Sequence, residues 1–215
     1  MPEYKLHCFA QSGNSYKVAL MLELNGAGWE PVWVDFFNGA TRTPEHLELN
    51  EMGEVPVLEH GGLVLTQSGV MLDYLAQRYR EFAPRSEEER REVLRWMFWD
   101  NHKLTGSVAP LRFLMKFVPE EKTDQHVIAW LSKRAERALT LLDRRLFNQE
   151  WVAADHITTA DLSCVGYLYY DHEFGHDLTA YPNIERWRQA IAALPGWKHP
   201  YDLMPGHPIP AGAFT

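Results

Sequence analysis

Hydrophobic and polar residues alternate with period two only in the first third of this chain. Lys5–Phe9 sets Leu6 and Cys8 on one face, and Glu30–Phe36 sets Val32, Val34 and Phe36 opposite Trp33 and Asp35. Both are the pattern of half-buried strands. Between them, Ser15–Leu24 carries Val18, Met21 and Leu22 at helical spacing. A third apolar run, Glu54-Val55-Pro56-Val57-Leu58, leads through Gly61-Gly62 into Leu63-Val64-Leu65-Thr66-Gln67-Ser68. It predicts strand, tight hairpin, strand and a helix start. Val70, Met71, Tyr74, Leu75 and Arg78 then continue at i, i+3, i+4 spacing. The predicted order is β-α-β, a less regular segment over 40–53, then β-β-α.

After Ser86 the strand pattern is gone. Glu87-Glu88-Glu89-Arg90-Arg91 opens a long helix with acids in its first turn, where the macrodipole favours them. Leu94, Trp96, Met97, Phe98 and Trp99 make that helix apolar nearly all round, so it is expected to be covered on two sides. Further helices are predicted over 124–147, 158–173 and 183–193. Ile157-Thr158-Thr159-Ala160-Asp161-Leu162 carries a Thr N-cap with an acid three residues on, and Ile157 and Leu162 at staple positions. With Glu81-Phe82-Ala83-Pro84-Arg85 as linker, two domains are expected: residues 1–81, mixing strands and helices, and residues 87–215, all helical.

The hairpin also carries candidate chemistry. Pro56 cannot donate to a ladder and belongs at a strand entrance. An X-Pro bond there can be cis, which would turn the main chain of Val55 outward toward a ligand. Gln67-Ser68 caps the following helix, whose free N–H groups make a carboxylate site. Such a pocket holds a small peptide by its backbone and one end.

Composition narrows the partners. The 215 residues are 46% hydrophobic, enough for a full core, and include eight Trp, ten Phe and nine Tyr. A formal net charge of −8 argues against nucleic acid, which needs a basic surface. Cys8 and Cys164 form no CxxC or zinc spacing and read as buried small hydrophobes. Met1-Pro2-Glu3-Tyr4-Lys5 shows no signal-peptide pattern, and no apolar run reaches membrane-spanning length. A reduced, cytoplasmic protein with no membrane partner is expected.

Four features in order, Ser12-Gly13-Asn14-Ser15-Tyr16-Lys17-Val18, Asn50-Glu51-Met52-Gly53-Glu54-Val55-Pro56, Gln67-Ser68 and Ile157-Thr158-Thr159-Ala160-Asp161, resemble the cytosolic glutathione S-transferases over essentially the whole chain. Trp187 with Leu194-Pro195-Gly196 is similar as well. The resemblance, to serine-type and bacterial-like members, implies an α+β thioredoxin-like N-terminal domain (β-α-β-α-β-β-α), an all-α bundle after it, and a homodimer. It implies glutathione as co-substrate and no metal. Glu54 stands where many relatives carry a basic or amide residue. Asn14 stands where cysteine-type relatives carry their cysteine, which argues against thiol–disulfide chemistry.

Glutathione is a small peptide whose thiol is only about 3% ionised at pH 7. A hydroxyl donating to the thiolate favours it by roughly 1.5–3 kcal/mol, about one to two pKa units. By resemblance Ser12 is the catalytic candidate, with Ser15 and Asn14 as rivals; the bland reading is that either serine merely caps the helix. Gln67 and Ser68 are candidates for the γ-glutamyl end and Val55 for the cysteinyl backbone, with Pro56 and Glu54 as further glutathione-binding candidates. Thr41, Arg42 and His46 are candidates for the glycine end, among which sequence does not choose. Trp96, Trp99, His102 and Phe113 are candidates for an apolar second-substrate pocket. The expected reaction is addition of the glutathione thiolate to a small, fairly apolar electrophile. Glutathione-dependent isomerisation or dehalogenation, or non-catalytic binding, are the alternatives. His172-Glu173-Phe174-Gly175-His176 also matches HExxH, the zinc-protease motif. Gly175 and Pro182 argue instead for two histidines at a helix end.

Overall fold

The first strand alternates as expected. In the computed structural model, which describes residues 2–209, β1 (Tyr4–Cys8) buries Tyr4, Leu6 and Cys8 and turns Lys5 outward. The first unit continues through α1 (Gly13–Leu24), β2 (Trp29–Trp33), α2 (Pro44–Leu49), β3 (Val57–His60), β4 (Leu63–Thr66) and α3 (Ser68–Tyr79). Its sheet has the order β2-β1-β3-β4, with β1 and β2 parallel and the other pairs antiparallel. This is the thioredoxin-like arrangement. Pro31 lies in β2, an edge strand, where a missing N–H costs least. The two-residue hairpin loop has φ of +55° at Gly61 and +86° at Gly62. Side chains with a Cβ adopt that pair of angles poorly.

The second strand ends sooner than its alternation suggested. Val34 donates to the Cys8 carbonyl at 3.0 Å, but Phe36 already opens a 3-10 turn, Phe36–Asn38. Its ring stacks on Phe9 at 4.9 Å, so the apolar side chain is used in a turn and not along a ladder. Within 40–53, Thr43 caps α2 by accepting from the His46 N–H, with Pro44 at the first helical position.

The chain divides into two compact units, one running to Glu81 and taking in the tail from Leu194, the other Phe82–Ala193. The tail, placed by sequence with the helical half, is tied to the first unit by distant partners. The Tyr16 hydroxyl donates to Lys198 O at 2.9 Å, Ala10 N to Pro205 O at 2.7 Å and Gln11 Nε2 to Gly206 O at 2.7 Å. It includes α9 (Pro200–Leu203), packed on α1. Residues 210–215 of the expected helical half lie outside the described residues.

The second unit is helical: α4 (Glu87–Trp99), α5 (Thr105–Phe117), α6 (Gln125–Leu146), α7 (Thr159–Val165) and α8 (Pro182–Ala192). Ser86 caps α4 by accepting from Glu89 N at 3.1 Å. A π turn, Asp100–Leu104, joins α4 to α5, an extension hidden in sequence by Gly106 and Pro110. The helix expected over 158–173 stops at Val165, and the chain continues in turns to a 3-10 segment at Asp171–Glu173.

At the start of α7 the capping box is complete. Asp161, fully buried, accepts from Val152 N (2.8 Å), Thr158 N (2.8 Å), Thr158 Oγ1 (3.1 Å) and Trp187 Nε1 (3.0 Å). Burial pushes its carboxyl up, while these four donors pull it back toward the anion. Among the described residues no helix is long and apolar enough to cross a membrane.

Candidate active site

Strand register gathers the sequence-predicted glutathione residues. Cys8 pairs with Trp33, His7 with Val57, and Val57 with Thr66. The C-terminal ends of β1, β2 and β4 and the N-terminal end of β3 therefore share one end of the sheet. From that end leave the Ser12 loop, the 34–43 segment with Thr41 and Arg42, the Val55-Pro56 approach, and Gln67-Ser68.

Ser12 is buried and is the N-cap of α1, its Oγ accepting from Ser15 N at 3.1 Å. The capping role that the sequence allowed Ser12 is therefore present. Accepting as a cap leaves the hydroxyl proton free to be donated, and no acceptor takes it among the described residues. Ser15 Oγ is fully buried and unpaired, as is the Asn14 amide oxygen. Burial holds the Cys8 thiol up at about 12, so it is no nucleophile at neutral pH.

Val55-Pro56 is cis. Neither the N–H nor the C=O of Val55 meets a hydrogen-bond partner among the described residues, although both neighbouring strands are paired. The preceding residue is held firmly. Glu54 O accepts from His46 Nε2 at 3.0 Å and from Asn50 Nδ2 at 2.9 Å. A carbonyl only accepts, so Nε2 carries the His46 proton. His46 is thus committed to the loop, a role sequence did not foresee because its partner is a main-chain atom eight residues away. Thr41 is buried, Arg42 exposed, and a side chain at Gly53 (φ +62°) would reach to 2.6 Å from Arg42 Nη1.

Gln67 has φ +67° and ψ +115°, outside the regions open to most side chains, which costs on the order of 1–3 kcal/mol. Its amide is exposed and donates to Glu54 Oε2 at 3.1 Å and Met52 Sδ at 3.0 Å. Ser68, buried, is the first residue of α3, and the N–H groups of Ser68 and Gly69 have no partner among the described residues. A twelve-residue helix thus presents its positive end here.

Of the second-substrate candidates, Trp96 is 3% exposed, its ring edge-on to Trp99 at 5.0 Å and flanked by Arg95 and Arg145. Trp99 is half-buried, His102 and Phe113 exposed. Trp99 also lines a cavity of about 290 Å³ on the helical unit, with Lys103, Arg134, Arg137, Ala138 and Leu141.

The HEFGH residues do not share a helix. The 3-10 turn ends at Glu173, and Gly175 has φ +73°. Glu173 pairs with Arg112 at 2.6 Å, Phe174 is fully buried, and His176 Nε2 meets Ser132 Oγ at 3.1 Å.

The chain thus combines a thioredoxin-like unit, in which the Val55 main chain and the first N–H groups of α3 have no partner among the described residues, with a helical unit. The family models for the N-terminal and C-terminal domains of glutathione S-transferase match residues 2–77 and 110–195. The chain is similar to the crystal structure of glutathione S-transferase from Pseudomonas fluorescens, 32% identical with TM-score 0.86 over 91% of this chain and 98% of that one. It is 30% identical to maleylacetoacetate isomerase of Pseudomonas aeruginosa over 91% of this chain and 95% of that one. It also resembles a glutathione transferase from Burkholderia graminis solved with two glutathione molecules per subunit, at 26% identity and TM-score 0.80, covering 91% and 85%. The chain belongs to the glutathione S-transferase family, whose members use glutathione as co-substrate.

Proposed function

We propose that this chain is a serine-type glutathione transferase, which adds the glutathione thiolate to a small, fairly apolar electrophile. The observation that carries the reading is the Ser12 hydroxyl, capped into position by Ser15 N–H and left with its proton to donate. In this reading the main chain of Val55 pairs with the cysteinyl backbone, and Ser68 with the N-terminus of α3 receives the γ-glutamyl carboxylate. Arg42 and Thr41 serve the glycine carboxylate. Trp99, His102 and Phe113 are the proposed side chains for the electrophile.

The test is the ionisation of bound glutathione, followed by thiolate absorbance. Ser12→Ala is expected to raise its pKa by roughly one to two units and to slow conjugation at neutral pH by about an order of magnitude. Affinity changes little, because the contacts to both ends remain. A larger effect from Ser15→Ala or Asn14→Ala moves the donor along the loop. No change in any of the three leaves a non-catalytic binding role as the better reading.

A second reading rests on the likeness to maleylacetoacetate isomerase. A thiolate that adds to a conjugated cis double bond and then leaves isomerises it, with the same demand on Ser12. Turnover of a cis-dienone alongside electrophilic halides separates isomerase, dehalogenase and transferase. We further propose a homodimer, supported by Phe98 at 70% and Trp130 at 57% exposure on the helical unit. Light scattering at micromolar concentration is expected to give twice the chain mass. Two free cysteines suit the reducing cytoplasm as its compartment.

A further inference from the structure

Glu54 is a carboxylate in a pocket proposed to bind a ligand with two carboxylates of its own. It is exposed, forms no ion pair among the described residues, and its one side-chain partner is the Gln67 amide. Its main chain is clamped by His46 and Asn50, so the side chain starts from a fixed point. The pairing with Gln67 has a definite sense. A carboxylate only accepts, so Gln67 must turn its NH₂ toward Glu54, and its carbonyl Oε1 is the atom left for a ligand. The unusual φ of Gln67 holds that side chain at the mouth of α3, beside the free N–H groups of Ser68 and Gly69.

The γ-glutamyl end of glutathione carries an α-carboxylate and an α-ammonium on one carbon. The helix N-terminus suits the first. The second needs acceptors, and here an amide oxygen and an unpaired negative charge stand side by side. We propose that Glu54 is a positioning and specificity residue, which locks the Gln67 amide with its oxygen toward the ligand and selects a thiol peptide bearing a free α-ammonium at its γ-glutamyl end. This rests on the glutathione-site reading above. The charge then serves the ammonium end of the peptide, and the glycine carboxylate is left to the 41–42 turn.

The test compares calorimetric affinity for glutathione and for glutaryl-cysteinylglycine, the same peptide lacking only the α-amino group. The native chain is expected to favour glutathione by about ten-fold or more, the size of one or two hydrogen bonds to a charged group. In Glu54→Gln the neutral amide no longer dictates the orientation of Gln67, and the preference is expected to fall to about three-fold or less. Affinity for the des-amino peptide holds or improves, and Glu54→Asp restores part of the preference. A purely structural role for Glu54 predicts that both peptides weaken equally; that result, or an unchanged preference, overturns the proposal. Ser68→Ala serves as the separate check on the site. It should weaken both peptides alike, and if it weakens neither, the site itself is misplaced and Glu54 falls with it.

Discussion

Two clusters of polar groups, one in each unit, are treated in opposite ways. In the helical unit, Asp161 receives four hydrogen bonds, and Asp100 in the π turn receives Thr105 Oγ1 at 2.8 Å and Ser163 Oγ at 2.6 Å. At the sheet end of the first unit, among the described residues, the Ser12 proton, the Val55 main chain and the first N–H groups of α3 go unused, and Ser15 Oγ and Asn14 Oδ1 are unpaired. Leaving such groups unmet costs about 1–3 kcal/mol each when no water or ligand reaches them. A polar residue whose capacity is filled holds the fold. In the proposed reading, the open groups that stand beside one another are the ones glutathione meets.

Replacing Asp161 is the strongest way to probe the filled side of that contrast. Asp161→Ala orphans the Val152, Thr158 and Trp187 donors in a dry interior, and should destabilise the chain by roughly 3–5 kcal/mol in urea unfolding. A loss under about 1 kcal/mol would mean the network is incidental.

Gln67→Ala combined with Ser68→Ala probes the open side. Glutathione affinity should drop by about ten- to a hundred-fold by calorimetry, while stability changes little, because the strain at Gln67 is unchanged and only its exposed bonds to Glu54 and Met52 are lost. Unaltered affinity would remove the assignment of this helix start to the γ-glutamyl end.

Ser12→Ala belongs to both sides at once. Its stability cost should be that of a lost N-cap, about 0.5–2 kcal/mol. Its distinguishing effect is the thiolate pKa, which a mere cap would leave in place.

The smallest effect is expected at His172. It has no place in a two-histidine helix face, so His172→Ala should shift stability by no more than about 0.5 kcal/mol and leave any bound zinc unchanged. One equivalent of zinc by elemental analysis, lost in this variant, would restore the HExxH reading.

What the sequence by itself determined was local. The hairpin needed only Gly61-Gly62 between two apolar runs, the cap of α7 only Thr158 and Asp161 three apart, and α4 its acidic first turn. In each case partners lie within a few residues, so spacing specifies the bond. Even the candidate site was legible that far: Ser12, Val55, Gln67 and Ser68 all sit at element boundaries.

Only the tertiary structure decided the rest. That those boundaries share one end of a sheet follows from strand order and register, set by the packing of whole elements. The meeting of Glu54 with Gln67 joins groups on either side of the hairpin whose residue types announce nothing. The end of β2 at Trp33 was settled by Phe36 finding Phe9, and the return of the tail by Tyr16, Ala10 and Gln11 donating to carbonyls nearly two hundred residues away. Helix and hairpin signals are written in neighbouring residues because their hydrogen bonds are short-range. Which distant polar groups meet, and which are left open for a ligand, depends on how the elements pack, and packing is a property of the whole chain.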